Sequence, residues 1–153
     1  MEPDKPSSGY SLLELIVALA MAAVLAAYAV PSYLAYAARG HRVDAVVALY
    51  RAAQHVAATA SGGASGAGFG PVPALPTGFD RVPAHGRVVY RLRLVPASAF
   101  NGGYELRAVP ADDGPMRGDA CGTFVLDGLG TRSNVGAAEN VRSVERCWSG
   151  RAA

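Results

Sequence analysis

The chain has 153 residues and a mass of 15.7 kDa, room for one ordinary domain with attachments. Its residues are 51% hydrophobic and 17% charged, against a usual charged share of about 25%, which excludes a wholly disordered chain. A net charge of +2 is too small to imply a nucleic-acid binder on bulk charge alone. The histidines are His41, His55 and His85, the cysteines Cys121 and Cys147, and every basic residue except Lys5 is arginine. Two well-separated cysteines form no zinc site of the usual kind. No Ser/His/Asp order or Cys/His pair makes a persuasive nucleophile. The composition reads as a non-enzyme, with no catalytic residue, metal or cofactor.

The apolar excess lies near the N-terminus. Leu15 to Ala38 carries no charge, and a helix of that length spans roughly 36 Å, enough for a hydrocarbon core of about 30 Å. Three uses compete: a secretory signal, a permanent anchor, or a segment that uses the membrane for a time. Ala27-Tyr28-Ala29 fits small-x-small cleavage. Against it stand a leader that holds Glu2 and Asp4 beside Lys5, and a carboxylate, Glu14, at the head of the apolar run. Such a charge costs roughly 2.5–3.5 kcal/mol at the centre of an inserting helix and less near its end. A segment made only for export has no use for it.

Residues 9–17 read Gly-Tyr-Ser-Leu-Leu-Glu-Leu-Ile-Val. This resembles the processing site of type IV prepilins, with Tyr10 in place of the usual Phe and Ser11 in place of Thr. The resemblance implies cleavage after Gly9, N-methylation of Tyr10, and removal of residues 1–9 as a leader. It also implies that Glu14 pairs with the N-terminus of a neighbouring subunit, a register device for assembly. Elementary electrostatics agrees, because a cation and a carboxylate at membrane depth need each other. The alternative is a Glu14 solvated at the interface. Pro31 falls where many pilins carry a helix-bending proline; it lacks an N–H, although transmembrane helices tolerate proline in any case. A cytoplasmic leader is implied, yet Lys5 before the span and Arg39 and Arg42 after it count the other way under the positive-inside rule.

The helix is expected to run from 10 to 60, an apolar half followed by an amphipathic one. Val43, Val46, Val47, Tyr50, Ala53 and Ala57 recur at spacings of three and four, with Asp44, Arg51 and His55 opposite. Residues 61–86 are dense in Gly, Pro, Ser and Ala and read as a long connecting loop, as between helix and sheet in pilins.

Alternation then predicts strands in the 87–153 region. In Val88 to Val95, Tyr90, Leu92 and Leu94 face one way and Val89, Arg91 and Arg93 the other. Tyr104 to Val109 repeats the pattern after the turn residues Asn101-Gly102-Gly103. A third strand covers Thr123 to Leu126 and a shorter fourth lies near Thr131. The apolar sheet face needs the helix as cover, which gives α+β. In an exported domain Cys121 and Cys147 read as a disulfide, with two buried thiols as the alternative. Residues 120–132, together with the later Cys147-Trp148, look like the C-terminal signature of PilE-type minor pilins. That resemblance places Phe124 and Leu126 inward and Trp148 beside the disulfide.

Weaker patterns remain. Arg117-Gly118-Asp119 is an integrin-type tripeptide, too short to carry weight. Asp112, Asp113, Asp119 and Asp127 offer oxygens to Ca²⁺ but lack fixed loop spacing. Arg91, Arg93 and Arg107 form either a basic stripe for DNA phosphates or an ordinary charged face with Glu105. Together the resemblances imply a minor pilin precursor of a type IV pilus, supporting twitching motility, adhesion or DNA uptake. Its implied partners are other pilin subunits, the prepilin peptidase/N-methyltransferase, the inner-membrane assembly machinery and, before assembly, the lipid bilayer. Its implied place is the inner membrane, with a periplasmic C-terminal domain, and then the extracellular pilus. The alternatives are a type II secretion pseudopilin and a secreted ligand-binding domain released after Ala29.

Overall fold

A computed structural model describes residues 9–62, 75–138 and 143–150. The chain divides into two units, Met1–Tyr36 and Ala37–Ala153. Helix α1, Leu12–Gly62, contributes its first part to the former and the remainder to the latter.

In the first unit, α1 begins where Leu15 N–H donates to the Ser11 carbonyl. Glu14 lies in the first turn, where a carboxylate complements the helix dipole. Alanine and leucine supply helix propensity through the following turns. Every residue from Leu12 to Tyr36 is exposed, large apolar ones included. Among the described residues this is the one helix long and apolar enough to cross a membrane. An apolar surface exposed on all sides has lipid or other protein as its natural surroundings.

The second unit is α+β. Strands β1 (Arg81–Val82), β2 (Tyr90–Pro96), β3 (Tyr104–Pro110), β4 (Thr123–Asp127) and β5 (Arg132–Val135) form one antiparallel sheet in the order β1-β2-β3-β4-β5. Tyr90, Leu92, Leu106, Ala108, Phe124 and Leu126 share a core with Ala45, Leu49, Ala52 and Val56 of α1. The helix therefore covers the apolar sheet face, as the alternation requires. Gly102 and Gly128 tie the β2–β3 connection to the end of β4. A Cβ on either would come within 2.7 Å of the other's backbone, so neither position has room for a side chain.

Several local expectations are corrected. The expected 61–86 loop contains β1, which pairs Arg81 with Arg91 and Val82 with Tyr90; residues 63–74 lie outside the described residues. Val89 is buried instead of facing water, because it precedes β2 and is held between Val82 and Ala111 by backbone hydrogen bonds. Val125 is buried along with its neighbours Phe124 and Leu126, so β4 is covered on both faces.

The buried face of α1 is Arg42, Ala45, Leu49, Ala52 and Val56, one position before the expected stripe. Of that stripe Val46 and Ala53 are partly buried, whereas Val43, Val47 and Tyr50 stay 43, 42 and 41% exposed. The reason is shape. Alanine at the contact lets the helix lie close to the sheet, while ranking by hydrophobicity favours the larger valines and tyrosine that lie to the side. A short helix, α2 (Val144–Trp148), also escaped the periodicity; the Ser143 side chain accepts from Arg146 N–H at its start.

Candidate functional site

Gly9, Tyr10 and Glu14 sit at the head of α1. Gly9 is exposed and does not adopt positive φ, and a Cβ added there would meet nothing within 4 Å. The fold places no demand for glycine at this position. Tyr10 is 79% exposed. Glu14 follows four residues later, in the first turn of α1, among the exposed Leu12, Leu13, Leu15, Ile16 and Val17. Among the described residues nothing forms a hydrogen bond or ion pair with its carboxylate. Beyond the helix dipole, a lone carboxylate on an apolar helix has only water or an incoming cation to stabilise it. Pro31 lies inside α1, which continues through it; the ring leaves the Ala27 carbonyl without its i→i−4 donor.

Residues 4–30 match the family model of the prokaryotic N-terminal methylation motif. The chain carries a prepilin-type N-terminus. That motif is the hallmark of type IV prepilin-like proteins, and it fits the exposed apolar helix of a membrane-anchored structural protein. No curated protein matches this prepilin-like chain.

In the second unit, Cys121 and Cys147 form a disulfide, with Cα atoms 5.7 Å apart. The bridge lies within a polar and aromatic network. Asn134 Nδ2 donates to the Cys121 carbonyl at 2.9 Å and Trp148 Nε1 donates to Asn134 Oδ1 at 3.0 Å. The Trp148 ring meets Phe124 edge-on at 5.7 Å and Tyr50 at 6.3 Å, with the Arg132 guanidinium 6.0 Å from its centroid. Trp148 thus joins the C-terminal segment to β4, β5 and α1.

A buried ion pair anchors the other side. Arg42 on α1 directs Nε to both carboxylate oxygens of Asp119 at 3.2 Å, and its terminal nitrogen reaches Oδ1 at 2.6 Å. Both side chains are under 10% exposed. The Tyr90 hydroxyl donates to Asp119 Oδ2 at 3.4 Å. Burial, and then the Asp119 charge, push the Tyr90 hydroxyl well above the usual tyrosine range. Sequence reasoning missed this cluster, and its members stand far apart in the chain.

The cluster also corrects the tripeptide reading. The Asp119 carboxylate is spent on Arg42 inside the fold, so Arg117-Gly118-Asp119 presents no free acid. Asp127 Oδ1 accepts from the backbone N–H groups of Leu129 and Thr131, which makes it a turn cap. Among the described residues no three His, Cys, Asp or Glu side chains gather where a metal ion could be held.

Proposed function

We propose that this chain is a minor pilin of a type IV pilus. Residues 1–9 are a leader removed after Gly9, Tyr10 becomes the N-methylated N-terminus, and 10–60 form the helix that moves from bilayer to filament. The observation that carries this reading is Glu14. It is an unpaired carboxylate on the exposed apolar stretch of α1, four residues beyond Tyr10, which this reading makes the new N-terminus. The α-amino cation of one copy and Glu14 of another supply each other's counter-charge once both leave water. The segment from 61 up to β1 links this helix to the sheet, and Pro31 supplies a bend point within the apolar half.

The pilus side is favoured over the type II pseudopilin alternative by the Cys121–Cys147 bridge and the terminal Cys147-Trp148, which resemble the ending of PilE-type minor pilins. On this reading the partners are other pilin subunits, the prepilin peptidase and the inner-membrane assembly machinery. The C-terminal unit is periplasmic until export into the fibre. Filaments sheared from the native host test the proposal. The chain should be present in them, beginning at methylated Tyr10; its confinement to the membrane, or a chain beginning at Val30, overturns it.

A further inference from the structure

The sheet face turned away from α1 carries an unusual charge arrangement. The register sets Arg81 opposite Arg91 across β1–β2, and Arg93 opposite Arg107 across β2–β3. Successive same-face residues on a strand lie about 6.8 Å apart and neighbouring strands about 4.8 Å apart. The four guanidinium groups therefore form a diagonal stripe over three strands. Like charges directly opposite one another destabilise a sheet, and this face places two such pairs side by side.

Local carboxylates answer only half of the stripe. Arg81 meets Asp80 at 3.2 Å and Arg107 meets Glu105 at 2.8 Å, both on part-exposed side chains. Exposed pairs of this kind contribute little and exchange readily with other anions. Arg91 and Arg93 are exposed, and among the described residues neither side chain has a hydrogen bond or ion pair. The next row along the sheet is acidic, with Glu105 opposite Asp127. The face is thus polarised, and an anion would lie over the arginine rows and away from that end.

The surroundings narrow the kind of anion. None of the large exposed apolar side chains lies on β1, β2, β3 or β4, so this face has nothing to insert into a lipid layer. The strand aromatics Tyr90, Tyr104 and Phe124 all point into the core, so no ring is offered for stacking unpaired bases. What remains is planar guanidinium suited to bidentate phosphate contact. We propose that the outer face of β1–β3 binds the phosphate backbone of duplex nucleic acid, without reading its sequence. The inference rests on the sheet alone and stands independently of the filament reading.

Binding of the full-length chain in a non-ionic detergent to a short labelled DNA duplex tests it. Sequence-independent affinity at moderate salt should fall in the range of about 10⁻⁴–10⁻⁶ M, with log K falling against log salt at a slope of about −2 to −4. Arg91→Ala/Arg93→Ala should weaken binding roughly tenfold and flatten that slope by about 2. Arg91→Lys/Arg93→Lys keeps the charge and should keep most of the affinity. Arg51→Ala/Arg117→Ala removes equal charge elsewhere and should change affinity by less than about twofold. A parent chain that ignores the duplex at low salt overturns the proposal. So does an Arg91→Ala/Arg93→Ala variant that binds as the parent does, tighter binding to oligothymidine than to duplex, or binding confined to heparin or to anionic vesicles.

Discussion

Arg42 and Asp119 stand 77 residues apart in the chain and meet through a two-pronged, almost fully buried ion pair. The contact joins α1 to the segment just before Cys121. It therefore fixes the disulfide end of the sheet against the helix from one side, while Trp148 does so from the other. Removing one partner leaves a buried charge without compensation, which typically costs about 3–5 kcal/mol. Arg42→Ala should lower thermal stability by that order. The double variant Arg42→Met/Asp119→Leu should recover most of the loss, because it buries no charge. Thermal denaturation of the three chains checks this, and a double variant no better than Arg42→Ala would show that the cost lies in packing.

The same cluster sets an alkaline limit. Burial and the Asp119 carboxylate raise the Tyr90 hydroxyl pKa, so the folded state holds that proton more tightly than the unfolded chain. This contribution is fully present below the unfolded value of about 10 and is lost progressively as pH rises above it, at about 1.4 kcal/mol per pH unit. Stability should therefore fall above about pH 10. Tyr90→Phe should make that decline shallower while changing neutral stability by less than about 1 kcal/mol, since the hydrogen bond it removes is long. Denaturant midpoints across the alkaline range, with tyrosinate absorbance followed in parallel, test both parts.

The disulfide is expected to stabilise the second unit by roughly 3–4 kcal/mol, mainly by restricting the unfolded chain. Cys121→Ser should lose that amount and leave Cys147 open to alkylation. Because Asn134 donates to the Cys121 carbonyl and also accepts from Trp148, reduction should loosen the tryptophan as well. Trp148 fluorescence after mild reduction reports this. Unchanged emission with full alkylation would show that the network holds without the bridge.

The sequence made the large elements visible and the joints invisible. Helix α1 is legible because a charge-free run, then a period of three and four, leaves few other structures. Strands β2 and β3 are legible because one face is wet and alternation survives, whereas β4 shows as a short apolar run bounded by Asp127-Gly128. Two-residue β1 is too short to alternate at all, and it sits beside Pro83 in a segment whose composition reads as loop. The helix face was displaced because an alanine-rich helix has little contrast in hydrophobicity, so fit to the sheet decides the contact. Nothing in spacing links Arg42 to Asp119. Only the fold brings them together, whereas Gly9, Tyr10 and Glu14 lie within six consecutive residues and are readable as a motif.

Processing offers a test in which fold and function separate. A side chain at Gly9 would touch nothing within 4 Å. Gly9→Val should therefore leave the thermal transition of the folded chain where it was, while blocking removal of residues 1–9. The parent chain should begin at Tyr10, one methyl group heavier than the bare sequence, and lose Glu2, Asp4 and Lys5 with its leader. Its formal side-chain charge then rises by one from +2. Intact mass spectrometry of both chains from the native host decides the matter; a Gly9→Val chain still cut at the same bond would show that the glycine is not what the peptidase reads.

Glu14 separates assembly from anchoring. Glu14→Ala removes a carboxylate from a helix surrounded by exposed Leu12, Leu13, Leu15, Ile16 and Val17. Taking that charge out of the span lowers the cost of entering lipid, so a chain that only needs an anchor should insert as well as the parent or better. A subunit that uses Glu14 to meet the α-amino cation of a neighbour should instead stay in the membrane and enter filaments poorly. Glu14→Asp keeps the charge on a shorter arm and should fall between the two. Cleavage after Gly9 should persist in both variants, which keeps a processing defect from imitating an assembly defect. The measurement is each variant's share in sheared filaments relative to its share in the inner membrane. Equal incorporation of Glu14→Ala and the parent would show that the charge pairs with nothing in the fibre.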